Sequence, residues 1–219
     1  DDVPEGGKRE KNYFALMLAL ETFMIGVFAA TDVFLFYVFF EAMLVPMYFI
    51  IGSFGGPRRQ YAAVKFFLYS LVGGLIMLAA VIGLFVVSNS ELGEGTFAFD
   101  ALRQLEIDPG VQKLLFLGFF VAFAIKAPMF PVHTWLPDAA AAGTPGTSVL
   151  LVSILDKIGT FGMIRFCLGL FPAAAAVLLD VPVVRADVPQ EGFPLELIRS
   201  AGLKGNSIGA LARGMALPT

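Results

Sequence analysis

Long apolar stretches separated by short polar segments occupy most of this chain. Each stretch is close to the roughly 20 residues that a helix needs to cross the hydrocarbon core of a bilayer. The stretches predicted to span a membrane are Tyr13–Ala30, Val33–Phe54, Tyr61–Val87, Val111–Lys126 and Thr147–Leu170. The pattern therefore predicts an all-α, polytopic membrane protein.

The composition supports a membrane protein and narrows its chemistry. Hydrophobic residues make up 58% of the 219 residues and charged residues 15%, against about 45–50% and about 25% in soluble domains. One cysteine, Cys167, and one histidine, His133, exclude a disulfide framework and a His/Cys metal cluster. A formal net charge of −3 disfavours a nucleic-acid partner. With no nucleotide-binding or iron–sulfur motif, we expect no cofactor or metal in this chain.

The basic residues predict the orientation of the helices. One cluster precedes the first stretch and another follows the second, so two crossings place both on one side; they are Lys8, Arg9 and Lys11, and Arg58 and Arg59. By the positive-inside rule that side is the cytoplasm. The polar segment from Ser88 to Gly110 then lies outside.

The fourth stretch ends in a predicted helix break. Lys126 is followed by Pro128 and Pro131, which remove backbone donors and interrupt a helix. Inside a membrane, a broken helix is tolerated only where protein or water satisfies the freed backbone groups. A break beside a lysine therefore indicates a functional position.

Glu41 is the clearest charge at depth. It stands near the middle of the second stretch, where a charge costs at least about 2.5–3.5 kcal/mol on insertion scales. Pro46 removes the donor that would bond the carbonyl of Ala42, which loosens the helix just beyond the carboxyl group. The alternatives are a proton- or ion-handling group and a structural carboxyl that is paired with a lysine.

Three further residues are candidates for proton exchange. Lys126 precedes the break, and its alternative is to extend towards the cytoplasmic surface. Lys157 lies ten residues into the fifth stretch, and its alternative is a structural ion pair. Its neighbour Asp156 points about 100° away around a helix, so the two need not pair. His133 could relay protons near neutral pH or serve as a hydrogen-bonded residue at the break.

The sequence around these residues is similar to a known family. The segments LFYVFFEAMLVPMYFIIGSFGGPRRQYAAVKFFLYS (Leu35–Ser70), AFAIKAPMFPVHTWLPDA (Ala122–Ala139) and SVLLVSILDKIGTFGMIRF resemble the antiporter-like subunit M of bacterial NADH-quinone oxidoreductase, respiratory complex I. The similarity covers about Tyr13 to Pro172, and the first segment favours subunit M over its sisters L and N.

The resemblance implies a longer chain with two inverted five-helix repeats, of which this sequence supplies most or all of the first. In the family, the glutamate of the FFE motif pairs with the lysine of the broken helix, and a lysine on the next helix relays the proton. These residues match Glu41, Lys126 and Lys157, and His133 matches the histidine of the HTWLPDA motif.

The resemblance also implies an activity and its surroundings. The activity is proton translocation that is driven by electron transfer from NADH to quinone. NADH, flavin, iron–sulfur clusters and quinone are expected in other subunits, the homologous subunits L and N are expected partners, and a bacterial plasma membrane is the expected location. The alternatives are a subunit of a multi-subunit sodium/proton antiporter or membrane-bound hydrogenase and, from a different class, an inert membrane scaffold.

Three features depart from the family pattern. Asp156 stands where an apolar residue is usual, and the segment after LPDA lacks the second histidine of many members. The tail after Ala173 is more polar, contains several prolines and does not match the expected next helices. We therefore expect three regions: a polar start at 1–12 where a longer chain is cut, a five-helix domain at 13–172, and a truncated or frameshifted tail at 173–219.

Overall fold

The computed structural model describes residues 7–179, and every regular element longer than an isolated β-bridge in that range is a helix. The first elements are α1 (Gly7–Ala29), α2 (Val33–Ala42), α3 (Leu44–Phe54), α4 (Arg59–Leu92), α5 (Phe99–Leu102) and α6 (Pro109–Lys126). They are followed by α7 (Trp135–Ala142), α8 (Pro145–Leu150), a first π-helical segment (Leu151–Leu155), α9 (Asp156–Gly162), a second π-helical segment (Met163–Leu168) and α10 (Pro172–Leu179).

Five of these helical runs are long and apolar enough to cross a membrane. They are Gly7–Ala29, Val33–Phe54, Arg59–Leu92, Pro109–Lys126 and Pro145–Leu168. Each coincides with one predicted stretch, and the bounds differ by a few residues. The all-α class and the five membrane helices are therefore confirmed.

The polar segment 88–110 lies at one end of the bundle, beside the turn between α1 and α2. The turn between α1 and α2 is stabilised by Asp32, whose carboxylate accepts a hydrogen bond from the Leu35 N–H at 2.8 Å and caps α2. The Val33 N–H donates to the carbonyl of Phe97 at 2.9 Å. This bond joins the segment to the turn, so both lie at the same end of the bundle, as predicted.

The two basic clusters meet at the opposite end. Arg9 donates to the backbone carbonyl of Ser53 at 3.0 Å, and Arg59 donates to that of Gly55 at 3.2 Å. The helix of Arg9 and the loop after α3 are therefore neighbours. This geometry agrees with the predicted two crossings between the clusters.

The long helix α4 lies at the centre and packs against α2, α3, α6 and α7. Between α2, α6 and the fifth crossing, aromatic rings fill the interior: Phe36 lies 4.4 Å from Phe166 and 6.0 Å from Phe123, measured between ring centroids. This interior is apolar, so a charge within it has few polar neighbours.

The predicted region bounds fall partly outside the described residues. Residues 1–6 and 180–219 lie outside them, and most of the prediction for the tail 173–219 falls there. The first helix already begins at Gly7, so the end of the predicted polar start is helical. The short helix α10 continues helical structure past Ala173.

Candidate functional site

Lys126 is the last residue of α6 and is enclosed by protein. Only 1% of the residue is exposed, and its ammonium group has no hydrogen-bond partner among the described residues. Its Nζ lies 4.9 Å from the ring centroid of Phe40 and 5.6 Å from that of Phe66. Aromatic faces attract a cation, more strongly when it is desolvated. The predicted alternative, extension to the cytoplasmic surface, is therefore wrong for this structure.

The helix break after Lys126 is built so that its backbone groups stay paired. Pro128 has no N–H, so the carbonyl of Ala124 loses its usual donor. The Met129 N–H donates to that carbonyl instead, at 2.9 Å. The next carbonyl, of Ile125, accepts from the indole N–H of Trp135 at 2.8 Å. Trp135 is fully buried, and its hydrogen bond holds α7 against the open end of α6. The predicted broken helix is confirmed.

Glu41 approaches the same region from α2. It is the penultimate residue of α2, and the helix is interrupted at Met43, between Glu41 and Pro46, as the proline predicts. Its side chain is half-buried, and its Oε1 is buried without a hydrogen-bond partner in the described part of the chain. The carboxyl group lies directly against Gly74 of α4.

Glu41 and Lys126 influence each other without touching. Their charges interact, but the ion pairs found within residues 7–179 are Lys65–Asp138 and Lys157–Asp156. A direct salt bridge between the FFE glutamate and the lysine of the broken helix is thus absent from the described residues. The arrangement leaves a half-buried acid with one enclosed oxygen and a fully buried base, each with free hydrogen-bonding capacity among the described residues, in one apolar region.

Ser70 is a third unpartnered group that sequence reasoning missed. It is 4% exposed, and its hydroxyl has no hydrogen-bond partner among residues 7–179. It lies one helical turn after Phe66 and one turn before Gly74, so these three residues share a face of α4. Phe66 contacts Lys126 and Gly74 contacts Glu41. A buried hydroxyl without a partner is uncommon, and a serine inside an apolar stretch was the available signal.

Lys157 is placed differently from Lys126. Its side chain is 62% exposed on the outside of the five-helix unit, and its Nζ forms an ion pair with Asp156 Oδ2 at 3.1 Å. The pair matches the alternative that the sequence left open for Lys157, a structural ion pair. Helix α9 follows the π-helical segment Leu151–Leu155, and the wider turn of that segment shifts the facing of the residues that follow. Lys157 therefore does not join the Glu41–Lys126 site within this chain.

His133 lies in the break, between α6 and α7. Its Nδ1 is buried without a hydrogen-bond partner in the described range, and its ring lies 5.8 Å from that of Phe130. Among the described residues, no hydrogen bond or ring contact joins it to Glu41 or Lys126. Its role in a relay stays a prediction.

Helix α7 is fastened to the start of α4 by polar contacts. Lys65 pairs with Asp138 at 2.7 Å, and the hydroxyls of Tyr69 and Thr134 lie 2.9 Å apart. Helix α7 is outside the five crossings, and the hydrogen bond from Lys65 holds the pKa of Asp138 below its usual value. The pairing of Lys65 with the LPDA aspartate was not predicted, because the two residues are far apart in sequence.

Comparisons with known proteins identify the family of this chain. Residues 30–182 match the family described as "NADH:quinone oxidoreductase/Mrp antiporter, TM". This match extends ten residues beyond Pro172, the last residue of the resemblance seen in the sequence. NADH-quinone oxidoreductase subunit M of Mycobacterium tuberculosis is 57% identical over 177 residues, which is 76% of this chain and 32% of that protein. The Escherichia coli subunit M is 47% identical over 158 residues, 70% of this chain and 31% of that protein.

Solved structures give the same fold. A chain of respiratory complex I from Thermus thermophilus with bound NADH has a TM-score of 0.69 and 39% identity, covering 75% of this chain and 34% of that one. A chain of the Mrp complex from Dietzia sp. has a TM-score of 0.65 and 26% identity, covering 77% and 18%. This chain spans about a third of the length of the curated relatives that it matches. It belongs to the transmembrane family of NADH:quinone oxidoreductase and Mrp antiporter subunits.

Proposed function

We propose that this chain is part of a proton-translocating membrane-arm subunit of NADH-quinone oxidoreductase, and that Glu41 and Lys126 form a proton-transfer site within it. The observation that carries the proposal is the enclosed ammonium of Lys126, which lies at a helix break beside the carboxyl of Glu41. Burial of a lysine disfavours its charged form, and a neighbouring carboxylate favours it. A change in the charge or distance of Glu41 therefore changes whether Lys126 holds its proton.

The geometry supports gating by charge. Because Glu41 and Lys126 are not hydrogen-bonded to each other, a small movement of either helix changes the distance between their charges. In surroundings of low dielectric constant, the interaction energy depends steeply on that distance. The helix of Glu41 is interrupted at Met43, and the helix of Lys126 ends at Lys126, so each charged group lies next to a break in its own helix.

The wider proposal places the redox chemistry elsewhere. NADH, flavin, iron–sulfur clusters and quinone would be held by other subunits, and the homologous subunits L and N would be neighbours in a bacterial plasma membrane. Lys157 and His133 would take the proton beyond the Glu41–Lys126 site. The identity to two subunit M proteins, 57% and 47%, supports this choice over a subunit of an Mrp antiporter, to which the identity is 26%.

Glu41→Gln tests the proposal, because it keeps the shape of the side chain and removes the charge. We expect proton pumping per electron to fall by at least about tenfold, since a positioned acid–base group contributes about 10²–10⁴ to a rate. Assembly should survive, because a neutral amide is cheaper to bury than a carboxylate. The readout is proton uptake by membrane vesicles, relative to NADH oxidation.

The matched control is Glu91→Gln, the same change at an exposed carboxylate at the end of α4, which should pump like the wild type. Normal pumping by an assembled Glu41→Gln complex would contradict the proposed site. Purification of this chain without an NADH-oxidising arm would instead favour the antiporter or hydrogenase alternative.

A further inference from the structure

Two adjacent glycines, Gly73 and Gly74, lie in the middle of α4, and both are buried. Glycine in a helix interior is less favourable than alanine, because it loses more conformational freedom on folding. Its presence there needs a reason in the packing. The two glycines face different neighbours, and that difference identifies the reason at each position.

At Gly74 the neighbour is the functional end of Glu41. A β-carbon added at Gly74 would lie closer than 3.0 Å to all three terminal carboxyl atoms, Cδ, Oε1 and Oε2, and 2.6 Å from Oε2. These are the three nearest atoms, so the missing side chain leaves space for the carboxyl group and not for the backbone of α2. The carboxyl of Glu41 rests against the bare backbone of α4.

Other glycines of α4 do not share this feature. At Gly73 an added β-carbon would meet Ile125 Cδ1 at 3.0 Å and Ala122 Cα at 3.3 Å, both on α6. At Gly83 it would meet the end of the Leu115 side chain at 2.9 Å, which is flexible and can move. Only Gly74, among the described glycines of α4, borders a charged group.

We propose that Gly74 is a positioning residue for Glu41: the lack of a side chain lets the carboxyl group lie against α4 at the depth and distance from Lys126 that proton transfer requires. The inference rests on the proposed function. A methyl group at this position would turn the carboxyl away or push α2 from α4. Either movement changes the separation of the Glu41 and Lys126 charges, and displacements of about 1 Å can cost about 10²-fold in rate.

The test compares Gly74→Ala with Gly83→Ala in the assembled membrane complex. The two variants make the same chemical change in the same helix, but only the first meets the carboxyl. We expect Gly74→Ala to lower proton pumping per electron by about tenfold, whereas Gly83→Ala pumps like the wild type. Pumping near the wild-type level by Gly74→Ala would overturn the proposal.

Rescue separates positioning from simple helix packing. Glu41→Asp shortens the side chain by one methylene and makes room for the alanine methyl. The Gly74→Ala/Glu41→Asp double variant should therefore pump as well as Glu41→Asp alone, so that the glycine change causes no further loss in this background. A double variant that pumps worse than Glu41→Asp by the same factor that separates Gly74→Ala from the wild type would show that the methyl acts on helix packing, which would overturn the positioning role.

The thermal midpoint of the complex provides a second test for variants that assemble poorly or pump too little to compare. In a Glu41→Ala background the carboxyl is gone, so Gly74→Ala should no longer lower the thermal midpoint of the complex. An equal loss of midpoint in both backgrounds would overturn the inference. Normal pumping by Glu41→Gln would contradict the proposed function itself. Loss of pumping in Glu41→Gln together with normal pumping in Gly74→Ala would contradict only the positioning role of Gly74.

Discussion

The two lysines on neighbouring crossings occupy opposite environments. Lys126 is almost fully enclosed and faces aromatic rings without a hydrogen-bond partner in the described residues, whereas the Lys157 side chain is 62% exposed and pairs with Asp156 at 3.1 Å. Lys126 ends one long apolar stretch, and Lys157 lies ten residues into another. The comparison shows that the position of a charge in an apolar stretch does not determine its surroundings. The helix break and the packing of α2 and α4 enclose Lys126, whereas the ion-pair partner of Lys157 in the described residues is its neighbour in sequence.

The largest expected effect comes from removing each lysine. Lys126→Ala should abolish pumping, a loss of at least about 10²-fold, because it removes the base of the enclosed site. Lys157→Ala should also impair pumping, since a relay needs every carrier. Proton uptake relative to NADH oxidation measures both. The matched control, Lys113→Ala, changes an exposed lysine of α6.

If Lys126→Ala stops pumping while Lys157→Ala pumps like the wild type, proton transfer is confined to the enclosed site and Lys157 is not a proton carrier. Wild-type pumping by Lys126→Ala would remove the site itself from the mechanism.

An intermediate effect is expected from the partner of the exposed lysine. Asp156→Asn removes the counter-ion of Lys157 but leaves the side chain volume nearly unchanged. Because exposed ion pairs contribute at most about 1 kcal/mol, pumping should change by less than about fivefold. A loss as large as that of Glu41→Gln would show that Asp156 is covered and acts as an acid in its own right. Pumping assays on the two variants, side by side, decide the point.

The five spanning segments and both helix interruptions could be predicted from the sequence, for physical reasons that are local. Hydropathy over about 20 residues reflects the cost of placing a segment in lipid. Pro46 and Pro128 each lack a backbone N–H, so each removes one helix hydrogen bond whatever the surrounding fold. The resemblance to subunit M selected Glu41 and Lys126 as a pair, and the structure brings both to the same face of α4.

What could not be predicted depends on distant residues or on helix distortion. The Lys65–Asp138 pair and the bond from Trp135 to the carbonyl of Ile125 form only when α7 folds back along α4. The facing of Lys157 follows the π-helical segment Leu151–Leu155, which no residue pattern predicted. The burial of the Ser70 hydroxyl without a partner in the described range depends on how the neighbouring helices pack, which the sequence around Ser70 does not contain.

The smallest expected effect is that of Ser70→Ala. If the Ser70 hydroxyl supports a proton path between Glu41 and Lys126, its loss removes one hydrogen-bonding group and should slow pumping by about threefold. The control is Ser90→Ala, at the exposed end of α4. Unchanged pumping would show that the enclosed site works without Ser70.

The most direct measurement is proton pumping by a Lys126→Arg complex in membrane vesicles, with assembly measured in the same membranes. Arginine keeps the positive charge in this position but does not deprotonate in proteins. If Lys126 must take up and release a proton, pumping per electron should fall by at least about tenfold while the complex still assembles. Pumping near the wild-type level would show that a fixed charge is sufficient, and it would contradict a proton-exchanging role for Lys126.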